Sequence, residues 1–143
     1  MGGHVDNPTY EEVCEKTTGH AEVAKVIFDE SVISADAILD IFFTLHDPTT
    51  LNRQGMDVGP QYRSAMFYAD DAQREAFEAA RDRAALIWDD PIVTEIAPAT
   101  EFWIGEEYHQ DFFAKNPNQG YCNAVIVPKV TKVRAKFSEF LKG

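Results

Sequence analysis

Apolar positions recur along this chain with two periods, and the changes from one to the other mark out its elements. Pro8, Thr9 and Glu12 announce a helix: Thr9 is placed to cap it, and Glu12, three residues on, to complete a capping box. Gly19 breaks that helix. Over residues 20–28 the pattern suits a strand, with Ala24, Val26 and Phe28 on one face and Val23 and Ile27 on the other. Apolar residues on both faces predict burial on both. Ser34 caps the next helix, along which Ala37, Ile38, Ile41, Phe42 and Leu45 make one apolar stripe, and Pro48 stops it.

A long turn through Gly55 and Gly59 leads into a predicted strand over residues 62–68. Asp70 or Asp71 caps an alanine-rich helix that reaches Leu86, and Pro91 introduces a strand over residues 92–96. Tyr108, Phe112 and Phe113 mark a short helix, residues 124–127 a last strand. Val130, Val133, Phe137, Phe140 and Leu141 make a final amphipathic helix. Strands and helices are interleaved, which predicts a layered α+β fold, although pattern alone does not order the strands.

Composition adds bounds. A chain of 143 residues, 45% hydrophobic and 26% charged, reads as one globular domain over 1–143. Lysine and arginine number 13 against 24 aspartates and glutamates, a net charge of −11, so phosphate-rich partners are repelled. Nucleic acid and anionic membranes are therefore not expected as partners. No apolar run approaches the roughly 20 residues of a spanning helix, and Met1 to Asp6 shows neither a signal-peptide nor a myristoylation pattern. A cytoplasmic location is the resulting expectation. Cys14 and Cys122 are too few for a disulfide framework, and are either inert thiols or catalytic ones. Four histidines and two cysteines show no zinc spacing, and no phosphate-binding glycine motif occurs, so neither metal nor cofactor is expected.

Three polar stretches hold the candidate chemistry: residues 18–22 (Thr-Gly-His-Ala-Glu), 55–64 (Gly-Met-Asp-Val-Gly-Pro-Gln-Tyr-Arg-Ser) and 120–122 (Gly-Tyr-Cys). Glu22 shares its predicted face with Ala24, Val26 and Phe28. Either it lies at the strand's exposed end, or it is a general acid whose pKa burial has raised. Asp57 and Tyr62 flank the turn Val58-Gly59-Pro60, as turn residue and strand aromatic or as two walls of one site. Tyr10 opens a capped helix, where packing is the ordinary role. His109 reads as a helix-surface residue, and Cys14 as a small buried hydrophobe.

Taken together, these motifs resemble the A-type peptide methionine sulfoxide reductases, with further matches at residues 10–14, 46–55 and 61–65. The resemblance runs from Gly2 to about Lys136. It implies a ferredoxin-like plait with additions, and reduction of methionine-S-sulfoxide, free or in proteins, with thioredoxin as reductant. It implies that Tyr10, Glu22, Asp57 and Tyr62 line the sulfoxide pocket, that His109 stands near it, and that Cys122 is a recycling thiol. Where many members have tyrosine three positions after that histidine, this chain has Phe112. The family's nucleophile lies in a Gly-Cys-Phe-Trp motif, which this sequence does not contain. In the family that motif belongs to a strand–helix–strand unit ahead of the Gly2-Gly3 pair, so the unit is expected to be missing and residues 1–143 inactive alone. A non-catalytic methionine-sulfoxide binder, or one half of a split reductase, is the alternative.

Overall fold

The computed structural model describes residues 1–141. Its core is built on one crossover. Strand β3 (Ala65–Tyr68) runs into helix α3 (Asp71–Ala85), which returns the chain to β4 (Glu95–Pro98), parallel to β3. Ala65 faces Glu95, Met66 faces Ile96, Phe67 faces Ala97 and Tyr68 faces Pro98. The Asp70 carboxylate accepts from the Gln73 amide and caps α3. Helix α2 (Ala35–Leu45), capped by Ser34, lies against α3. Leu39 and Phe43 from α2, Met66 from β3, and Ala80 and Ala84 from α3 form the buried cluster. The small side chains of Ala80 and Ala84 let the two helices approach closely, and Arg83 clasps Asp40 at 3.0 Å at the rim.

Around this core stand shorter pieces. Helix α1 (Tyr10–Cys14) carries the predicted capping box of Thr9 and Glu12. A two-residue hairpin pairs β1 (Arg53–Gln54) with β2 (Asp57–Val58), turning at Gly55, whose φ of 58° suits a residue without Cβ. Helix α4 (Phe112–Lys115) is a single turn, and α5 (Val127–Lys136) packs on α2. The α+β class stands, and helices and small sheets share one architecture. Among the described residues no helix is long and apolar enough to cross a membrane.

Several local expectations are corrected. Residues 20–28 form no strand: Ala21 and Glu22 bond to neighbouring backbone, but no described segment pairs with residues 23–28, and Ile27 is 88% exposed. Strand propensity without a partner leaves extended coil. Residues 124–127 likewise make no strand; Cys122–Ile126 is a π-helical turn feeding α5, its backbone satisfied by local bonds rather than by a ladder. Tyr62 belongs to a 3₁₀ turn, Pro60–Tyr62, and the strand begins three residues later. The strand after Pro91 is shifted to Glu95–Pro98, because its ladder opens only where the Glu95 amide reaches the Ser64 carbonyl. The stripe on α2 is rotated as well: Leu39 and Phe43 are buried while Leu45 is exposed. That helix is apolar nearly all round, so period alone did not choose its packed face. The final helix ends at Lys136, where Phe137 leaves helical geometry before a 3₁₀ turn, Ser138–Phe140.

Candidate active site

An open cleft of about 1030 Å³ lies between α1, the extended segment from Ala21 to Lys25, the β1–β2 hairpin and the chain from Phe102 to Phe112. Tyr10, Glu22, Asp57, Tyr62 and His109 all line it. Residues spread over a hundred positions therefore converge on one cleft. Local geometry explains how each arrives. Glu22 is held in register by its amide, which donates to the Gln61 carbonyl at 2.9 Å. Gly59, with φ 152° and ψ 161°, makes the sharp entry to the turn that presents Tyr62, and its own amide donates to Asn52 O at 2.8 Å. A Cβ there would stand 2.2 Å from Gln61 Oε1. Asp57 lies on β2, just ahead of that turn.

His20 organises the neighbouring backbone and stays out of the cleft chemistry. Its Nδ1 accepts from the Gly3 amide at 3.0 Å, so its Nε2 carries the proton donated to Val5 O at 2.7 Å. The His4 amide adds a bond to Thr18 O at 2.9 Å, and this lashing fixes the approach to Glu22. On the far wall, the 3₁₀ turn Glu107–His109 packs on α1: the Tyr10 ring lies 4.5 Å from His109 and 6.2 Å, edge-on, from Tyr108.

The electrostatics share one direction. Burial pushes the Glu22 carboxyl above the usual carboxylate range, and Asp57 adds to this while His109 opposes it. The Tyr10 phenol is pushed up to about 12, chiefly by the neighbouring Cys14 side chain one helical turn on and then by burial. Tyr62 is raised by burial, then by Glu22 and Asp57. Each of these groups is thereby biased to keep its proton. The two phenols present O–H donors to whatever enters, and an entering group with a strongly polarised oxygen would be their complement.

Two thiols occur in the chain, and the cleft surface includes neither. Cys14 is half-buried behind Tyr10, and Cys122 is fully buried on the π-helical turn. Cys122, which the resemblance implies is a recycling thiol, opens this helical segment directly after Gly120-Tyr121. Sequence reasoning missed several lining residues. Tyr121, inside the Gly-Tyr-Cys motif, is a further phenol raised by burial and then by Asp57 and Glu22. Phe102 and Trp103 supply an apolar wall; adjacent aromatics in a proline-bounded polar stretch were the available signal. Phe112 also lines the cleft, at the position where many family members have tyrosine. Among the described residues no group of three or more acidic, histidine or cysteine side chains is arranged to hold a metal ion.

Comparison with known proteins gives the family. A family model described as peptide methionine sulfoxide reductase matches residues 1–141. The chain is 61% identical over 143 residues to the peptide methionine sulfoxide reductase MsrA of Clavibacter michiganensis subsp. michiganensis, covering 100% of this chain and 82% of that one. It is 57% identical to the MsrA of Paenarthrobacter aurescens, over 98% of this chain and 80% of that protein. Among solved structures, the reduced form of Mxr1 from Saccharomyces cerevisiae superposes with a TM-score of 0.78 at 37% identity, covering 85% of this chain and 67% of that one. Methionine sulfoxide reductase A of Corynebacterium diphtheriae gives 0.71 at 38% identity, over 86% of this chain and 63% of that one.

Proposed function

Because the chain belongs to the peptide methionine sulfoxide reductase family, we propose that its cleft binds the S epimer of methionine sulfoxide, in peptides or free, as the oxygen-activating part of a thiol-dependent reduction. One observation carries this reading: Glu22, Tyr10 and Tyr62 line one cleft, and all are shifted toward their protonated forms. A sulfoxide oxygen carries substantial negative charge and accepts hydrogen bonds; the departing oxygen must also gain a proton. Neutral donors in a partly desolvated site serve both needs. Asp57 adds to the upward shift that burial gives Glu22 and Tyr62, and His109 faces the same space. Phe102 and Trp103 offer apolar surface to the substrate methyl group.

Reduction consumes a thiol. Its sulfur attacks the sulfoxide sulfur, the S–O bond breaks, and the oxygen ends on the thiol as sulfenic acid while methionine is freed. A second thiol condenses with the sulfenic acid, releasing water and forming a disulfide, which thioredoxin then reduces by exchange. Cys122 is our candidate for the second thiol. It must come out of its buried position to take part, and the π-helical turn on which it sits is a natural place for such opening. Neither Cys14 nor Cys122 lines the cleft, so residues 1–143 are expected to bind the sulfoxide without turning it over.

The test is calorimetric titration with N-acetyl-methionine-sulfoxide methylamide as separate S and R epimers, followed by a turnover assay with thioredoxin. Saturable binding of the S epimer at least about tenfold tighter than the R supports the reading. Equal affinity for both epimers, or none for either, overturns it. Turnover by this polypeptide alone would show that Cys14 or Cys122 is the attacking thiol.

A further inference from the structure

The donors of the cleft need fixed positions, and one carboxylate outside the acid–phenol set is placed to provide them. Helix α1 begins at Tyr10, whose amide, like every first-turn amide, has no intrahelical acceptor. The Thr9–Glu12 capping box serves the amides of Glu12 and Thr9 and leaves that of Tyr10. Glu106, 96 residues away, serves it: its Oε1 accepts from Tyr10 N at 3.0 Å. Its Oε2 lies 3.8 Å from His109 Nε2. Glu106 precedes the 3₁₀ turn Glu107–His109 and would ordinarily cap it, yet its side chain makes no capping hydrogen bond to that turn. The carboxylate reaches instead to another element, the first turn of α1.

The rings complete the arrangement. Tyr108 and His109 lie 4.2 Å apart and both contact Tyr10. Stacking alone fixes a ring's plane loosely, whereas a charge-assisted bond to the backbone of Tyr10 sets where that ring starts. We infer that Glu106 is a positioning residue that ties Tyr10 to the His109 turn and so sets the place of the Tyr10 hydroxyl in the sulfoxide site. The inference rests on the function proposed above. It also predicts something a residue serving only fold stability would not: the effect of Glu106 on binding runs through the Tyr10 hydroxyl.

The experiment is a double-mutant cycle with calorimetric titration of the S-sulfoxide peptide, joined to amide hydrogen exchange of Tyr10 by NMR. Glu106→Ala should weaken binding by about tenfold and speed Tyr10 exchange to a similar degree. Glu106→Gln, which keeps an acceptor oxygen, should restore most of both. In a Tyr10→Phe background, Glu106→Ala should cost no further affinity. Additive losses, or Tyr10 exchange unaltered by Glu106→Ala, overturn the inference while leaving the sulfoxide reading intact. If the unmutated protein binds no sulfoxide, the sulfoxide reading fails, and Glu106's part in that site fails with it; Tyr10 exchange in Glu106→Ala then reports the tie alone.

Discussion

The amide of Glu22 donates to the carbonyl of Gln61 at 2.9 Å, and this single backbone bond sets the acid beside Tyr62. Since no side chain makes the bond, substitution at position 22 can change the chemistry of the cleft without moving the segment that carries it. Glu22→Gln should therefore fold normally. Only the protonated carboxyl donates, and burial raises its pKa, so sulfoxide affinity should hold at low pH and fall as pH rises through the Glu22 titration. In Glu22→Gln that pH dependence should vanish. The stability sign follows from the same shift: the neutral form is favoured on folding, and the benefit is lost as pH rises through the raised folded pKa. Above that point the glutamine variant should melt higher than the unmutated protein, which calorimetry across pH will show.

A hydrogen-bonded relay between α2 and the β3–β4 pair predicts an acid-side loss of stability. His46 Nδ1 donates to the Phe42 carbonyl at 2.7 Å, so in the neutral ring Nε2 accepts from Ser64 Oγ, also at 2.7 Å. Thr94 bonds Ser64 in turn at 2.8 Å, joining α2 to the starts of β3 and β4. Burial lowers the His46 pKa, with Lys129 acting the same way and the Phe42 bond and Asp47 opposing. The contribution of neutral His46 is thus full above the ordinary histidine pKa and is lost as pH falls through the depressed folded value. His46→Ala should cost about 2–3 kcal/mol in urea unfolding at pH 7.5. The penalty should shrink as the pH is lowered through that window; a constant penalty would contradict the tautomer assigned here.

Gly59 is the strained point of the turn. With φ at 152° and a would-be Cβ 2.2 Å from Gln61 Oε1, an alanine must both adopt a disfavoured conformation and push Gln61 aside. Gly59→Ala should destabilise by roughly 2–4 kcal/mol. Because Gln61 carries the carbonyl that receives Glu22, sulfoxide affinity should drop in the same variant. A variant as stable as the parent would mean the turn relaxes more freely than its packing indicates.

The two thiols should differ sharply in reactivity. Cys14 is half-buried beside the cleft wall, while Cys122 has no exposed surface. Alkylation under native conditions, read by mass spectrometry, should modify Cys14 first and Cys122 on the order of a hundredfold more slowly, through local opening of its helical turn. Rapid native labelling of Cys122 would instead mean that the turn is already open in solution.

What could be read along the chain was whatever physics is local. The capping box at Thr9, the caps at Ser34 and Asp70 and the long α3 all follow from interactions within a few residues, and all are present. The candidate acids and phenols were legible too, as polar groups in motifs that match a family, and Tyr10, Glu22, Asp57, Tyr62 and His109 meet in one cleft. The strands expected over residues 20–28 and 124–127 were not decided that way, since a strand exists only where a partner edge receives its bonds. Nor was the packed face of α2, the burial of Cys122, or the reach of Glu106 to an amide 96 residues distant. Periodicity and capping are short-range and survive in one dimension. Pairing, burial and the sharing of protons among distant groups depend on which surfaces meet, and only the folded chain determines that.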